Sequence, residues 1–256
     1  MNIILIGSDG AMGKVVTNIS KELGHQVVAG LQSTEETEQP FPIATNFDDL
    51  TKVVEELEVK PEVMIDFSTP QLTDELLAFA VAQNLPLMLA TTGQNEEQEQ
   101  VIQEASKSVA ILDTHNTSIG VNVMQEVSKH LSKVLYPLGY DIEIIEKHHR
   151  YKKDAPSGTA KMLLDSVEEG MSESATKVYG REGIGEAREH QEVGLHAIRG
   201  GDIVGEHTII FANNQDTLEI THRAGSKELF ARGAMSGAEF LINQAKPGIY
   251  SMNDIF

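Results

Sequence analysis

The first half of the chain alternates short apolar runs with longer stretches whose apolar positions recur every three or four residues. "NIILIG" (2–7), "HQVVAGL" (25–31), "EVMIDFS" (62–68), "LPLMLATTG" (85–93) and "VAILDT" (109–114) are of the first kind. Such runs predict strands buried on both faces. Residues 12–23 and 46–57, "QLTDELLAFAVAQ" and "EEQEQVIQEASK" carry helical spacing between them. Strand and helix alternating at these lengths predict βαβ units with right-handed crossovers, and hence a doubly wound parallel sheet of the α/β class.

The pattern changes near residue 119. "VNVMQEVSKHLSKVL" predicts one long helix, "YDIEIIEKHH" alternates as a strand should, and a helix is expected from Pro156. A glycine-rich stretch at 180–194 predicts a mobile loop. "LHAIR", "DIVGEHTIIFAN" and "TLEITHRA" follow as strands without intervening helices, separated by Gly200-Gly201 and Asn213-Asn214. This predicts a second α+β domain with a mixed sheet. A last helix, 227–244, is expected to return to the first. The expected domains are 1–119 completed by 229–256, which would bind dinucleotide, and 120–228, which would bind substrate and oligomerise.

Composition narrows the chemistry. The 256 residues carry 20 Lys+Arg against 39 Asp+Glu, a formal charge of −19. That balance argues against general nucleic-acid binding, which needs basic residues in excess along a face. There is no cysteine, so thiol nucleophiles, disulfides and thiolate metal sites are excluded. The histidines at 190, 196, 207 and 222 lack metal-ligand spacing and read as structural or surface residues; no metal is expected. No run approaches the roughly 20 apolar residues of a membrane helix. The expectation is a cytoplasmic protein without nucleic-acid or membrane partners.

"IGSDGAMGK" sets Gly7, Gly10 and Gly13 where the first strand turns into the first helix. Glycines there let the backbone approach a pyrophosphate, and the helix N-terminus supplies N–H groups and positive potential. The spacing is G-x-x-G-x-x-G, so the match to a Rossmann-type dinucleotide loop is imperfect, but its place in a βαβ series favours a nicotinamide cofactor over an ordinary tight turn. The second strand ends in Gln32, Ser33 and Thr34. No carboxylate stands there to repel a 2′-phosphate and no arginine to bind one, which leaves NADPH and NADH open, with a lean toward tolerating NADPH.

Against the acidic background, "EKHHRYKKDAPSGTA" (146–160) gathers Lys147, His148, His149, Arg150, Lys152 and Lys153. A solvated basic face and a nucleic-acid patch are the competing readings. The continuation favours a site for an anion: with Pro156 in a helical first turn, Ser157, Gly158 and Thr159 would present N–H groups and hydroxyls to a carboxylate. Lys and His on one side and a helix N-terminus on the other suit a small dicarboxylate. His148 is the natural proton donor, with Lys152 supplying positive charge or a proton.

These residues resemble the signature segment of the dihydrodipicolinate reductase family. "VMIDFSTP" (63–70), "ATTG" (90–93), "NTSIGVNVM" (116–124), "GREGIGE" (180–186), "RGGDIVGEHT" (199–208) and "LEITHRA" (218–224) fall in the family's order across nearly the whole chain. The resemblance implies an NAD(P)H-dependent reductase of lysine biosynthesis acting on a cyclic imine dicarboxylate. It implies His148 as proton donor and Lys152 as second catalytic residue, with His149, Lys152, Ser157, Gly158, Thr159 and Thr92 on the substrate. The cofactor would meet Gly7, Ser8, Asp9, Gly10, Ala11, Met12 and Gly13, then Gln32 and Ser33, Ala90–Thr92, and His115, Asn116, Thr117 and Ser118. A homotetramer built through the second sheet is implied. The chain departs from the family pattern at Gln32, often acidic, at Tyr151, at "ATTG" and at "HNTS". Another Rossmann reductase of a small dicarboxylate, or a non-catalytic NAD(H)-sensing protein, is the alternative; the sensor would not need a proton donor beside a carboxylate clamp.

Overall fold

A computed structural model describes residues 1–34, 38–243 and 246–255. The chain forms two compact units, Met1–Ser118 with Lys227–Phe256, and Ile119–Ser226.

In the first unit the order is β1 (Asn2–Ile6), α1 (Ala11–Glu22), β2 (Gln26–Leu31), β3 (Ile43–Ala44), α2 (Phe47–Glu56), β4 (Val63–Asp66), α3 (Thr73–Gln83), β5 (Leu87–Leu89), α4 (Glu96–Ala105) and β6 (Ala110–Asp113). The seven strands are parallel in the order β12-β6-β5-β4-β1-β2-β3, where β12 (Gly248–Tyr250) closes one edge. Alternation along the strands splits the core into two layers. Ile4, Ile6, Met64, Leu87 and Leu89 face α2, α3 and α4. Ile3, Leu5, Val63, Ile65 and Met88 face α1 and the last helix, α7 (Glu228–Asn243). So α7 does pack within the first unit; Gln244, the last position of that predicted helix, lies outside the described residues. Side chains set where helices begin: Asn46 Oδ1 accepts the Asp49 N–H at 2.9 Å, and Asn95 and Gln98 form a reciprocal capping box.

The second unit comprises α5 (Ile119–Leu135), β7 (Asp141–His148), α6 (Gly158–Gly170), β8 (Thr176–Val178), β9 (Glu192–Arg199), β10 (Glu206–Ala212) and β11 (Thr217–Arg223). Its sheet runs β11-β10-β7-β9-β8. The β10 strand is antiparallel to β11 and β7, whereas β9 is parallel to β7 and β8. The sheet is mixed, as the run of strands implied. One face packs Ile142, Ile144, Val193, Leu195, Ile209 and Phe211 against α5 and α6.

Two expectations change. The helix expected from Pro156 starts at Gly158 with Ser157 as N-cap, its hydroxyl accepting the Ala160 N–H at 3.2 Å; Pro156 lies outside the helix. The stretch at 180–194 is not all loop, since β9 takes up its last residues from Glu192. The two- and three-residue strands β3, β8 and β12 are too short to leave a period in the sequence. Among the described residues no helix is long and apolar enough to cross a membrane.

Candidate functional site

The residues expected at the cofactor belong to the first unit. After β1 the chain turns at Gly7, whose φ is +80°, and a Cβ there would lie 2.6 Å from the Phe67 carbonyl oxygen. Only glycine fits both the dihedral and the approach. Gly10 caps α1 with no side-chain hydrogen bond, so the first-turn N–H groups of the helix are left to an external acceptor. A cleft of about 610 Å³ opens beside this loop, lined among others by Gly7, Asp9, Gly10, Gln32 and Ser33. A glycine cradle, an uncapped helix N-terminus and a cleft past the end of β2 fit the pyrophosphate and adenosine of a dinucleotide.

The other residues expected at the cofactor divide by what their side chains already do. Ser8 and Gln32 are buried and bonded to each other at 3.3 Å. Gln32 therefore points into the fold, where the acid of many such folds reaches outward. Asn116 accepts the Ser118 N–H at 2.9 Å, and the Thr117 hydroxyl donates to the Phe230 carbonyl at 2.8 Å on α7. The segment 115–118 is thus anchored by side chains. Gly233 of α7 approaches so closely that a Cβ would lie 1.7 Å from the Thr117 oxygen. Ala11, Thr92 and His115 are exposed, Met12 and Ala90 half-buried, and Thr91 buried. Asp66, closing β4, accepts the Ser68 N–H at 3.0 Å, and burial pushes its carboxyl up.

The basic segment lies in the second unit, and strand alternation divides it. Along β7, Ile142, Ile144, Glu146 and His148 are buried, and Asp141, Glu143, Ile145 and Lys147 alternate with them. Lys147 is therefore no part of the cluster around His148: it pairs with Glu206, which also binds Arg223 at 2.9 Å. Arg181 donates two 3.0 Å bonds to Glu143 and a third to Glu192, on the face of the sheet opposite His148. Arg150 and Lys153 are exposed.

On the helix-covered face, His148 Nδ1 lies 2.6 Å from Glu146 Oε2. Arg199 is the register partner of His148 on the parallel strand β9. Its two terminal nitrogens each donate to Glu146 at 2.7 Å, and the Ser157 N–H donates to Glu146 Oε1 at 3.0 Å. Burial alone would raise the Glu146 carboxyl; Arg199, His148 and the Ser157 amide outweigh it and hold the group below the usual range. Glu146 is therefore anionic, so Nδ1 of His148 must carry the proton that bridges them. The chemistry of the ring is left to Nε2. Gly205 leaves space there, since a Cβ on it would stand 3.2 Å from Nε2.

Ser157 does not present its groups outward as expected. It is buried, its amide goes to Glu146, and its hydroxyl takes the Ala160 N–H and lies 3.0 Å from His207 Nε2. Gly158 and Thr159 begin the helix beside it. Lys152 is half-buried and bonded to Asp154 at 2.8 Å, and among the described residues the buried Nδ1 of His149 has no partner.

Glu146, Arg199 and His207 are the members that sequence reasoning missed. The signal for Glu146 was available: it continues the period-2 apolar face of "DIEIIEKH", so a carboxylate was bound to be buried two residues before His148. Arg199 and His207 lie within "RGGDIVGEHT" (199–208), but only strand pairing sets them beside His148 and Glu146. His207, set aside among scattered histidines, is buried with its ring centroid 5.2 Å from that of His148.

Comparison with known proteins covers both halves. Residues 1–117 match the family model "Dihydrodipicolinate reductase, N-terminus", and 120–256 match "Dihydrodipicolinate reductase, C-terminus". The chain is 43% identical over 256 residues to the 4-hydroxy-tetrahydrodipicolinate reductase of Caldanaerobacter subterraneus subsp. tengcongensis, covering all of this chain and 98% of that one. It is 41% identical over 254 residues to that of Clostridium novyi, covering 99% and 97%. Among solved structures, a dipicolinate-bound dihydrodipicolinate reductase from Paenisporosarcina sp. TG-14 superposes with a TM-score of 0.80 at 20% identity, covering 100% of this chain and 99% of that one.

Proposed function

The chain belongs to the dihydrodipicolinate reductase family, and from that premise we propose which of its residues carry the reaction. The activity is the NAD(P)H-dependent reduction of the 4-hydroxy-tetrahydrodipicolinate/dihydrodipicolinate imine to tetrahydrodipicolinate, in lysine (diaminopimelate) biosynthesis. The observation that carries the residue assignment is the 2.6 Å bond from His148 Nδ1 to a buried, Arg199-held Glu146 at the N-terminus of α6.

The loop 7–13, the end of β2 and the segments 90–92 and 115–118 would hold NAD(P)H, which would supply the hydride. The substrate is a small dicarboxylate. His149, Lys152 and the first turn of α6 at Gly158 and Thr159 take its carboxylates, which fixes the ring against His148. As negative charge grows toward the ring nitrogen, His148 delivers a proton from Nε2 while Glu146 balances the charge on the imidazolium. Lys152 adds positive charge on the substrate side. Ser157 acts by holding Glu146 and the helix start in place, without touching substrate. The first unit is the dinucleotide-binding domain and the second the substrate domain. We further infer a cytoplasmic homotetramer joined through the sheet face opposite α5 and α6, where Ile145, Ile198 and Ile210 lie among charged residues.

Pyridine-2,6-dicarboxylate, a planar mimic of the ring, tests the clamp. It should compete with substrate, and His149→Ala and Lys152→Gln should each weaken its binding about tenfold or more, the scale of one lost charge-assisted hydrogen bond. Binding left unchanged by both substitutions would remove these residues from the clamp.

A further inference from the structure

The end of β2 lacks its own acid, yet the structure puts a carboxylate there. Asp9, third residue of the turn 7–13, reaches across so that its Oδ2 accepts the Ser33 N–H at 3.1 Å and the Ser33 hydroxyl. Ser33 follows Gln32 at the point where an acidic residue commonly binds the adenosine ribose. Among the described residues Asp9 Oδ1 has no partner, and Asp9 lines the cleft. Among the described residues, the charged ones lining that cleft are Asp9 and Glu75, and none is Lys or Arg. In sequence, "QSTEETEQP" (32–40) adds Glu35, Glu36 and Glu38 and no base.

We propose that Asp9 supplies from the glycine loop the ribose-binding carboxylate that β2 lacks, and that it makes NADH the preferred cofactor. This rests on the assignment of the loop 7–13 to the dinucleotide. A 2′-hydroxyl can donate to Oδ1. A 2′-phosphate brings up to two negative charges to the same carboxylate, and the donors that would receive it, the Ser33 amide and hydroxyl, are already occupied by Asp9. The sequence alone leans toward tolerating NADPH; the folded loop reverses that lean.

The experiment measures direct binding of NADH, NADPH, ADP and 2′,5′-ADP by calorimetry, without turnover, to the wild type and to Asp9→Asn. Asparagine keeps an oxygen for Ser33 and removes only the charge. The wild type should bind NADH and ADP about tenfold or more tighter than their 2′-phosphorylated counterparts, corresponding to repulsion of about 1.4 kcal/mol. The preference should weaken with added salt, and Asp9→Asn should narrow it by about tenfold. A carboxylate that merely fastens the loop would change all four affinities in parallel, and that result would overturn the proposal, as would a wild type that binds NADPH as tightly as NADH. Failure of all four nucleotides to bind would overturn it together with the dinucleotide assignment.

Discussion

His207 provides a quantitative test of the buried network. Burial is the largest influence on its ring, and positive charge on His148, His222 and Lys152 adds to it against the opposing pull of Glu146, so that its pKa is pushed down to about 4 from 6.5. The unfolded chain therefore takes up a proton near pH 6.5 that the folded chain refuses until about pH 4. A histidine depressed in this way stabilises the fold fully above its unfolded pKa, and that stability is lost as the pH falls through the gap. Between about pH 7.5 and about pH 5 the loss is about 2 kcal/mol, approaching about 3 kcal/mol near pH 4. Urea unfolding of the wild type and of His207→Gln at the two pH values isolates this contribution, because groups common to both proteins cancel in the difference. The wild type should lose about 2 kcal/mol more than the variant. Equal losses would refute the reasoning, as would an NMR titration of the wild-type His207 ring with a midpoint near 6.5.

Two further substitutions probe other links. Glu146→Gln keeps the shape beside His148 but removes its counter-charge and the carboxylate that Arg199 holds. Turnover should fall about tenfold or more at alkaline pH and less at acid pH, moving the alkaline limb of the kcat profile down by about one pH unit; a uniform loss at all pH values would assign Glu146 a merely structural part. Gly233→Ala forces a Cβ into the Thr117 carbonyl and should cost about 1–3 kcal/mol in thermal or urea unfolding, with weaker NADH binding through the displaced segment 115–118. Gly225→Ala, whose Cβ would meet open space, is the control and should stay within about 0.5 kcal/mol.

The legible part of the fold is the part with a period. Apolar runs and helical spacing located the strands and helices of both units because burial on two faces, on one face or along a stripe leaves distinct patterns. The strands β3, β8 and β12 left none, being only two or three residues long and added to sheet edges by neighbours distant in sequence. The helix after the basic segment was misplaced by two residues because Pro156 suits a first turn, whereas Ser157 has the side chain that caps one. At the candidate site, His148, His149 and Lys152 stand together in sequence and are legible there. Arg199 and His207 are set beside His148 by β9 and β10, which no local pattern announces. Gln32 shows the same limit from the other side: a residue at the right position in the chain turns inward, and Asp9 arrives from another loop.

This chain reduces a cyclic imine dicarboxylate with NAD(P)H, and in the proposed mechanism His148 protonates the product. The most direct measurement mixes the protein with NADH or NADPH and substrate made freshly from pyruvate, aspartate semialdehyde and the condensing synthase, and follows oxidation of the nicotinamide. The wild type should consume the reduced cofactor in step with substrate. His148→Gln, with unchanged circular dichroism, should be slower by roughly 10²-fold or more. No oxidation with either cofactor, or a variant as fast as the wild type, would contradict the account.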